Sequence, residues 1–117
     1  MSERGYRLYL HDMRDSMLAI DSYLIGIDRE KFATDRKTYA ATLRELEIIG
    51  QAAGKLPEPL KSRYPAVNWR IIKDFRNVLA HEYFAVNLDL VWDIVCRKLP
   101  ELRRQVELII ANEPPEG

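Results

Sequence analysis

Trp69-Arg70-Ile71-Ile72-Lys73-Asp74-Phe75-Arg76-Asn77-Val78-Leu79-Ala80-His81-Glu82-Tyr83-Phe84 reads as a helix, and that reading decides the fold. With about 100° of rotation per residue, Ile71, Ile72, Phe75, Val78 and Leu79 fall within an arc of about 120°. Such an arc is the core-facing stripe of an amphipathic helix. Asn68 is the expected N-cap, because its short side chain can accept a bond from a first-turn N–H.

Working outward, the same three- and four-residue steps recur. Tyr6, Leu10, Met13, Met17, Ile20 and Leu24 make one stripe, which ends near Gly26. A charged stretch follows from Asp28 to Lys31. A long helix is expected from Thr34 or Asp35, with Tyr39, Leu43, Leu46, Ile49 or Gly50, and Ala53 on its inner face. Gly54 and Pro57 stop it. Pro57 to Pro65 reads as a connector with one helical turn around Leu60. Downstream, Asn87 would cap a helix carrying Leu88, Val91, Trp92, Val95 and Leu99. Pro100 would bend it or open a new helix at a first-turn position. Leu102, Val106, Ile109 and Ile110 continue the stripe. The expectation is an all-α, four- to five-helix up-down bundle. It would form a single helical domain over residues 1–111, with a frayed tail over 112–117.

The chain has 117 residues, 47% of them hydrophobic and 31% charged. That is the composition of one globular domain. Eighteen basic residues balance 18 acidic ones. A bulk electrostatic partner such as DNA or an anionic membrane is therefore not indicated, although a local basic patch is compatible. The single cysteine, Cys96, can form no intrachain disulfide and no zinc site by itself. No apolar run nears the roughly 20 residues of a membrane span. The start Met1-Ser2-Glu3-Arg4 lacks a signal-peptide character, so a cytoplasmic location is expected.

The helix 69–84 also carries the candidate chemistry. Arg76 and Tyr83 share one flank, since seven residues return the helix nearly on itself. His81 and Asp74 share the other flank, with Asn77 one turn before His81. Between Phe75 and Val86 the only charged residues are Arg76 and Glu82. A helix so weakly charged all round is usually buried on more than one side. A second copy of the chain would cover its outer side. Within one helix Arg76 and His81 diverge by roughly 140°. Across a two-fold axis the arginine of one chain can meet the histidine of the other.

A groove holding two arginines and two histidines suits phosphodiester chemistry. Histidine exchanges a proton near neutral pH. Arginine matches phosphate geometry with paired donors. RNA cleavage by its own 2′-hydroxyl needs both functions and no metal. From the residues alone, the commoner reading of the same pair is a helix surface, solvated or paired with Asp74 and Glu82.

The run Phe75-Arg76-Asn77-Val78-Leu79-Ala80-His81-Glu82-Tyr83-Phe84 resembles the signature of the HepT toxins of the HEPN superfamily. The likeness extends to Arg44-x-Leu46-Glu47-Ile48-Ile49-Gly50-x-Ala52-Ala53-x-Lys55-Leu56 and to Tyr64-Pro65-x-x-Asn68-Trp69-x-x-Ile72. Asp12-Met13, Tyr23-Leu24, Val91-Trp92 and Leu99-Pro100-x-Leu102 fit it as well. Gln51 departs from it, where relatives often carry glutamate, as does Asp74, where a small residue is commoner.

The resemblance implies a metal-independent endoribonuclease without cofactors, the toxin of a type II toxin–antitoxin pair. It implies a homodimer with a composite site, and an RNA substrate. The cognate antitoxin would be a nucleotidyltransferase of the MntA type, transferring AMP onto Tyr83. Arg76, His81 and Asn77 would then be catalytic. Arg70 and Lys73, one turn apart, are candidates for RNA phosphate contact or for ordinary solvation. The alternative function is a non-catalytic helical module that binds a nucleotide or a nucleotidyltransferase partner.

Other residues read as structural. Trp69 and Trp92 are expected core anchors, Tyr6 and Tyr9 packing residues, and Arg103-Arg104 solvated surface. Cys96, among Val91, Ile94, Val95 and Leu99, is expected in the core. His11, Asp12 and Asp15 read as a solvated charged face rather than a metal site.

Overall fold

Alternating steps of four and three residues build the first helix in the computed structural model, which describes residues 5–70, 72, 75 and 88–113. In α1 (Tyr6–Tyr23), Tyr6, Leu10, Met13, Met17 and Ile20 are all buried. The chain turns at Gly26, whose φ of +74° lies in the left-handed region that only glycine enters without strain. The Ile27 N–H then closes the turn on the Leu24 carbonyl at 2.9 Å.

The charged stretch expected from Asp28 is in fact the start of a helix, α2 (Arg29–Thr34). Asp28 caps it, accepting a bond from the Lys31 N–H at 2.8 Å. Phe32 is the reason this short helix stays docked. It is fully buried, with its ring 5.2 Å from Tyr39 edge-on and 5.1 Å from Trp92. Asp35 caps α3 (Arg36–Gly54) by accepting from the Thr38 N–H at 3.2 Å. That places the helix start where the sequence put it.

α3 buries Leu46, Ile49, Gly50, Ala52 and Ala53, while Tyr39 and Leu43 pack half-buried against the same core. Among the described elements, α1 makes its most extensive packing with α3. The turn expected around Leu60 is α4 (Glu58–Arg63), and Leu60 is fully buried.

A further helix opens at Trp69, with Ile72 and Phe75 buried in the main core. α5 (Leu88–Asp93) opens the next described stretch. A π-helical turn, Ile94–Lys98, joins it to α6 (Leu99–Asn112). Pro100 explains this turn. It lacks the N–H that would bond the Cys96 carbonyl four residues back, and its ring presses on that carbonyl. The backbone widens by one residue there, which is a π turn. α6 runs antiparallel to α1, since Arg7 bonds the Ile110 carbonyl and Arg103 bonds Asp21.

Every regular element among the described residues is helical, as the sequence predicts. Among them no helix is long and apolar enough to cross a membrane. One expectation changes. Cys96 is exposed rather than in the core. It stands one residue past Val95, about 100° off the inner face of the helix. At the far end of the described residues, α6 runs through Asn112, and Glu113 is buried with 8% exposure.

Glu113 is held by side chains from two distant elements. Its carboxylate accepts from the Tyr6 hydroxyl at 3.0 Å, the Tyr64 hydroxyl at 2.7 Å and the Arg63 guanidinium at 2.7 Å. Arg7 donates to its backbone carbonyl at 3.1 Å. The end of α6 is thereby clasped to the start of α1 and the end of α4.

Candidate functional site

Two anchored flanks frame the candidate motif. On the upstream side, the Val67 N–H bonds the Tyr64 carbonyl at 3.2 Å, and Val67 is buried. The indole Nε1 of Trp69 donates to the same Tyr64 carbonyl at 3.1 Å. This double contact fixes the direction in which the helix at Trp69 sets out. The Tyr64 hydroxyl is in turn tied to Glu113, so the C-terminal clasp supports the start of the motif helix. Ile72 is fully buried and Phe75 is 2% exposed. Three residues apart, they confirm that this part of the sequence-predicted arc faces the core.

On the downstream side, Leu88 packs half-buried against the core and Val91 is buried. Asp89 accepts from Arg29 of α2 at Nε, 2.8 Å away, and pairs with the same guanidinium through a second nitrogen. Trp92 lies against Phe32. The short helix α2 therefore secures the chain just after the motif. Sequence reasoning missed this element. The signal was present in Asp28, a good cap, and in Phe32, a lone aromatic among charged residues.

Arg76, Asn77, His81 and Tyr83 lie outside the described residues, as do Lys73 and Asp74. Of the expected phosphate-contacting pair, only Arg70 is described, and it is exposed on the first turn of the motif helix. Gln51 is exposed on α3. Trp69 and Trp92 are half-buried against the core, as expected of anchors. Tyr9 is half-buried with the Lys55 ammonium 5.4 Å from its ring centre.

Beside this frame is a pocket of about 130 Å³ between the start of the motif helix and the first turns of α6. Ala66, Phe75 and Leu102 supply its apolar lining, and Asn68, Lys98, Glu101 and Gln105 its polar lining. Of its α6 residues the sequence pointed only to Leu102, as packing; Glu101 and Gln105 went unmarked, because a polar residue on the outer face of an amphipathic helix carries no signal of its own.

The electrostatics of the described residues centre on Glu113. Hydrogen bonding from Arg63, then from Tyr64 and Tyr6, holds its carboxyl below the ordinary glutamate value. Burial and the bond to Glu113 push the Tyr6 hydroxyl up, and the same causes act on Tyr64. All three shifts keep this group as a carboxylate with two neutral phenols, the set of states in which every donor has its acceptor.

Comparison with known proteins gives a consistent picture. The family described as ribonuclease HepT-like matches residues 13–109. A protein of Methanocaldococcus jannaschii named a candidate RNase is 36% identical over 112 residues, covering 96% of this chain and 93% of that protein. A probable ribonuclease HepT of Thermococcus cleftensis is 33% identical over 105 residues, covering 90% of this chain and 96% of that protein. A candidate RNase of Caldanaerobacter subterraneus subsp. tengcongensis is 39% identical over 88 residues, covering 75% of this chain and 79% of that protein. No solved structure gives a significant match.

Proposed function

The chain belongs to the HepT-like ribonuclease family, and from that premise we propose that it cleaves RNA as the toxin of a type II toxin–antitoxin pair. It is a ribonuclease of the HEPN type. The observation that carries the finer reading is the set Arg76-Asn77-x-x-x-His81-x-Tyr83, complete within the matched span 13–109.

In this reading two chains form a homodimer in the cytoplasm, and the groove between them holds Arg76 and His81 of both chains. His81 removes the proton from the RNA 2′-hydroxyl. The 2′-oxygen attacks phosphorus, and the bond to the 5′-oxygen breaks. The second His81 returns a proton to that leaving oxygen. The products are a 2′,3′-cyclic phosphate and a free 5′-hydroxyl. Arg76 neutralises the charge that develops on the phosphorane oxygens, which is worth most where water is excluded. Asn77 orients the phosphate or the imidazole. No step requires a metal or a cofactor.

Neutralisation follows from the same flank. An MntA-type nucleotidyltransferase antitoxin would direct the Tyr83 phenolic oxygen onto the α-phosphate of ATP, releasing pyrophosphate and the phenolic proton. The AMP phosphate would then lie beside Arg76 and compete with RNA for it.

The test is RNA cleavage by pure protein, with His81→Ala as the comparison and a chelator present throughout. Loss of a general base costs about 10²–10⁴-fold. Equal cleavage by the two proteins would remove His81 from the mechanism. For the switch, mass spectrometry after co-expression with the nucleotidyltransferase should find adenylate on Tyr83, and Tyr83→Phe should escape neutralisation.

A further inference from the structure

We propose that the pocket between the motif helix and α6 is a subsite for one pyrimidine base of a bound RNA strand. The inference rests on the ribonuclease reading and deepens it by assigning a base-recognition element. Three observations carry it.

The first is position. The pocket lining includes Asn68 and Phe75, which bracket the start of the motif helix, and the exposed Arg70 stands on the first turn of that helix.

The second is size and lining. The cavity of about 130 Å³ is close to the roughly 150 Å³ that holds a single benzene ring in a protein interior. One six-membered ring fits, and a fused purine would have to protrude. Three apolar residues, Ala66, Phe75 and Leu102, line it beside four polar ones, so a ring can pack there while its edge meets hydrogen-bonding groups.

The third is the chemistry of the polar lining. The Gln105 amide nitrogen donates to the Ala66 carbonyl at 3.2 Å, which fixes the amide and leaves its oxygen as an acceptor. Glu101 supplies a second acceptor and Lys98 a cationic donor, and neither is ion-paired among the described residues. Acceptors and donors side by side match the mixed edge of a pyrimidine, whose carbonyl oxygen accepts while its ring or exocyclic N–H donates. Lys98 closes the π turn that Pro100 imposes, so this part of the lining is placed by a local backbone irregularity. Such turns occur frequently at functional sites.

The experiment is a two-dimensional NMR titration of the full-length, isotope-labelled protein with cytidine, uridine, adenosine and guanosine 5′-monophosphates. The expected result is that the pyrimidine nucleotides shift the amides of Ala66, Lys98 and Gln105, binding about ten-fold more tightly than the purine nucleotides, the scale of one well-made base contact. Gln105→Trp, which fills the pocket, should remove those shifts with an unchanged circular dichroism spectrum. If that variant fails to fold, Lys98→Ala, at an exposed position, should weaken pyrimidine binding several-fold. The proposal is overturned by purine binding of equal strength, by pyrimidine shifts confined to other amides, or by no shift at roughly millimolar nucleotide. The readout is binding at named amides, not cleavage. A protein that fails to cut RNA can still pass this test, and a protein that cuts RNA can fail it.

Discussion

Replacing Glu113 by alanine removes the acceptor on which three side chains converge. The Tyr6 hydroxyl is the most costly to orphan, because Tyr6 is 9% exposed and water cannot readily take the place of the carboxylate. A buried unsatisfied donor costs about 1–3 kcal/mol. Tyr64 is half-buried and recovers part of its loss through water, and the half-exposed Arg63 recovers most of it. The expected total is about 2–4 kcal/mol. For a domain of this size that is a fall in Tm of about 8–16 °C. Glu113→Gln keeps the shape and one acceptor, so its loss should be about half as large.

The pH dependence adds an independent check. Arg63 first, then Tyr64 and Tyr6, hold the Glu113 carboxyl below its ordinary value of 4.5. A depressed carboxyl contributes stability that is present above the unfolded value and is lost as pH falls through the folded one. Thermal melts from pH 7 down to pH 3 should therefore show wild type losing its advantage over Glu113→Ala below about pH 4.5. The clasp also bears on activity, since Tyr64 connects Glu113 to Trp69 and so to the motif helix. A Tm within a degree or two of wild type at pH 7, or a difference between the proteins that is constant with pH, would refute the reasoning.

Thr42 is fully buried, and its hydroxyl has no hydrogen-bond partner among the described residues. Thr42→Val should therefore raise stability by about 1 kcal/mol in urea denaturation, and a fall would show that the hydroxyl has an acceptor after all. Phe32→Ala should cost about 3–5 kcal/mol, because the ring is fully buried between Tyr39 and Trp92. Phe32→Leu should recover most of that stability. Both are read by the same denaturation curves, and a small effect of the alanine would mean that α2 is not what holds the chain beyond the motif.

The long helices were legible in the sequence because apolar residues recur at helical spacing. In α1 the stripe from Tyr6 to Ile20 is the buried face, and α3 begins directly after Asp35, where its start was expected. Pro100 was read as a bend or a helix start, and it is both, through a π turn that no periodicity rule anticipates. The short α2 was hidden because six residues give too little periodicity to stand out from a charged loop. Glu113 was hidden for a different reason. Its partners Tyr6, Arg63 and Tyr64 are 107, 50 and 49 residues away in sequence. No local rule distinguishes such a glutamate from one in a polar tail. The pocket was hidden because it is shaped by two helices meeting, and neither helix carries an unusual residue there.

The zero net charge that seems to argue against an RNA substrate has a structural reading. Much of the positive charge on the described surface is already engaged. Arg29 is paired with Asp89, Arg44 with Glu47, Arg63 with Glu113, Arg97 with Asp93 and Arg103 with Asp21. Pairs of this kind hold helices together or cover their surfaces, and to a strand at a distance they present almost no field. Arg70 is among the exposed basic residues without an ion-pair partner among the described residues, and it stands at the start of the motif helix. A balanced chain can thus keep a local attraction for phosphate beside the motif. Each phosphate so neutralised contributes a slope of only about −0.7 to the salt dependence of binding a single strand. Affinity for RNA in general would then be modest. Discrimination would fall to contacts made with individual nucleotides, which is the role assigned to the pocket beside Phe75.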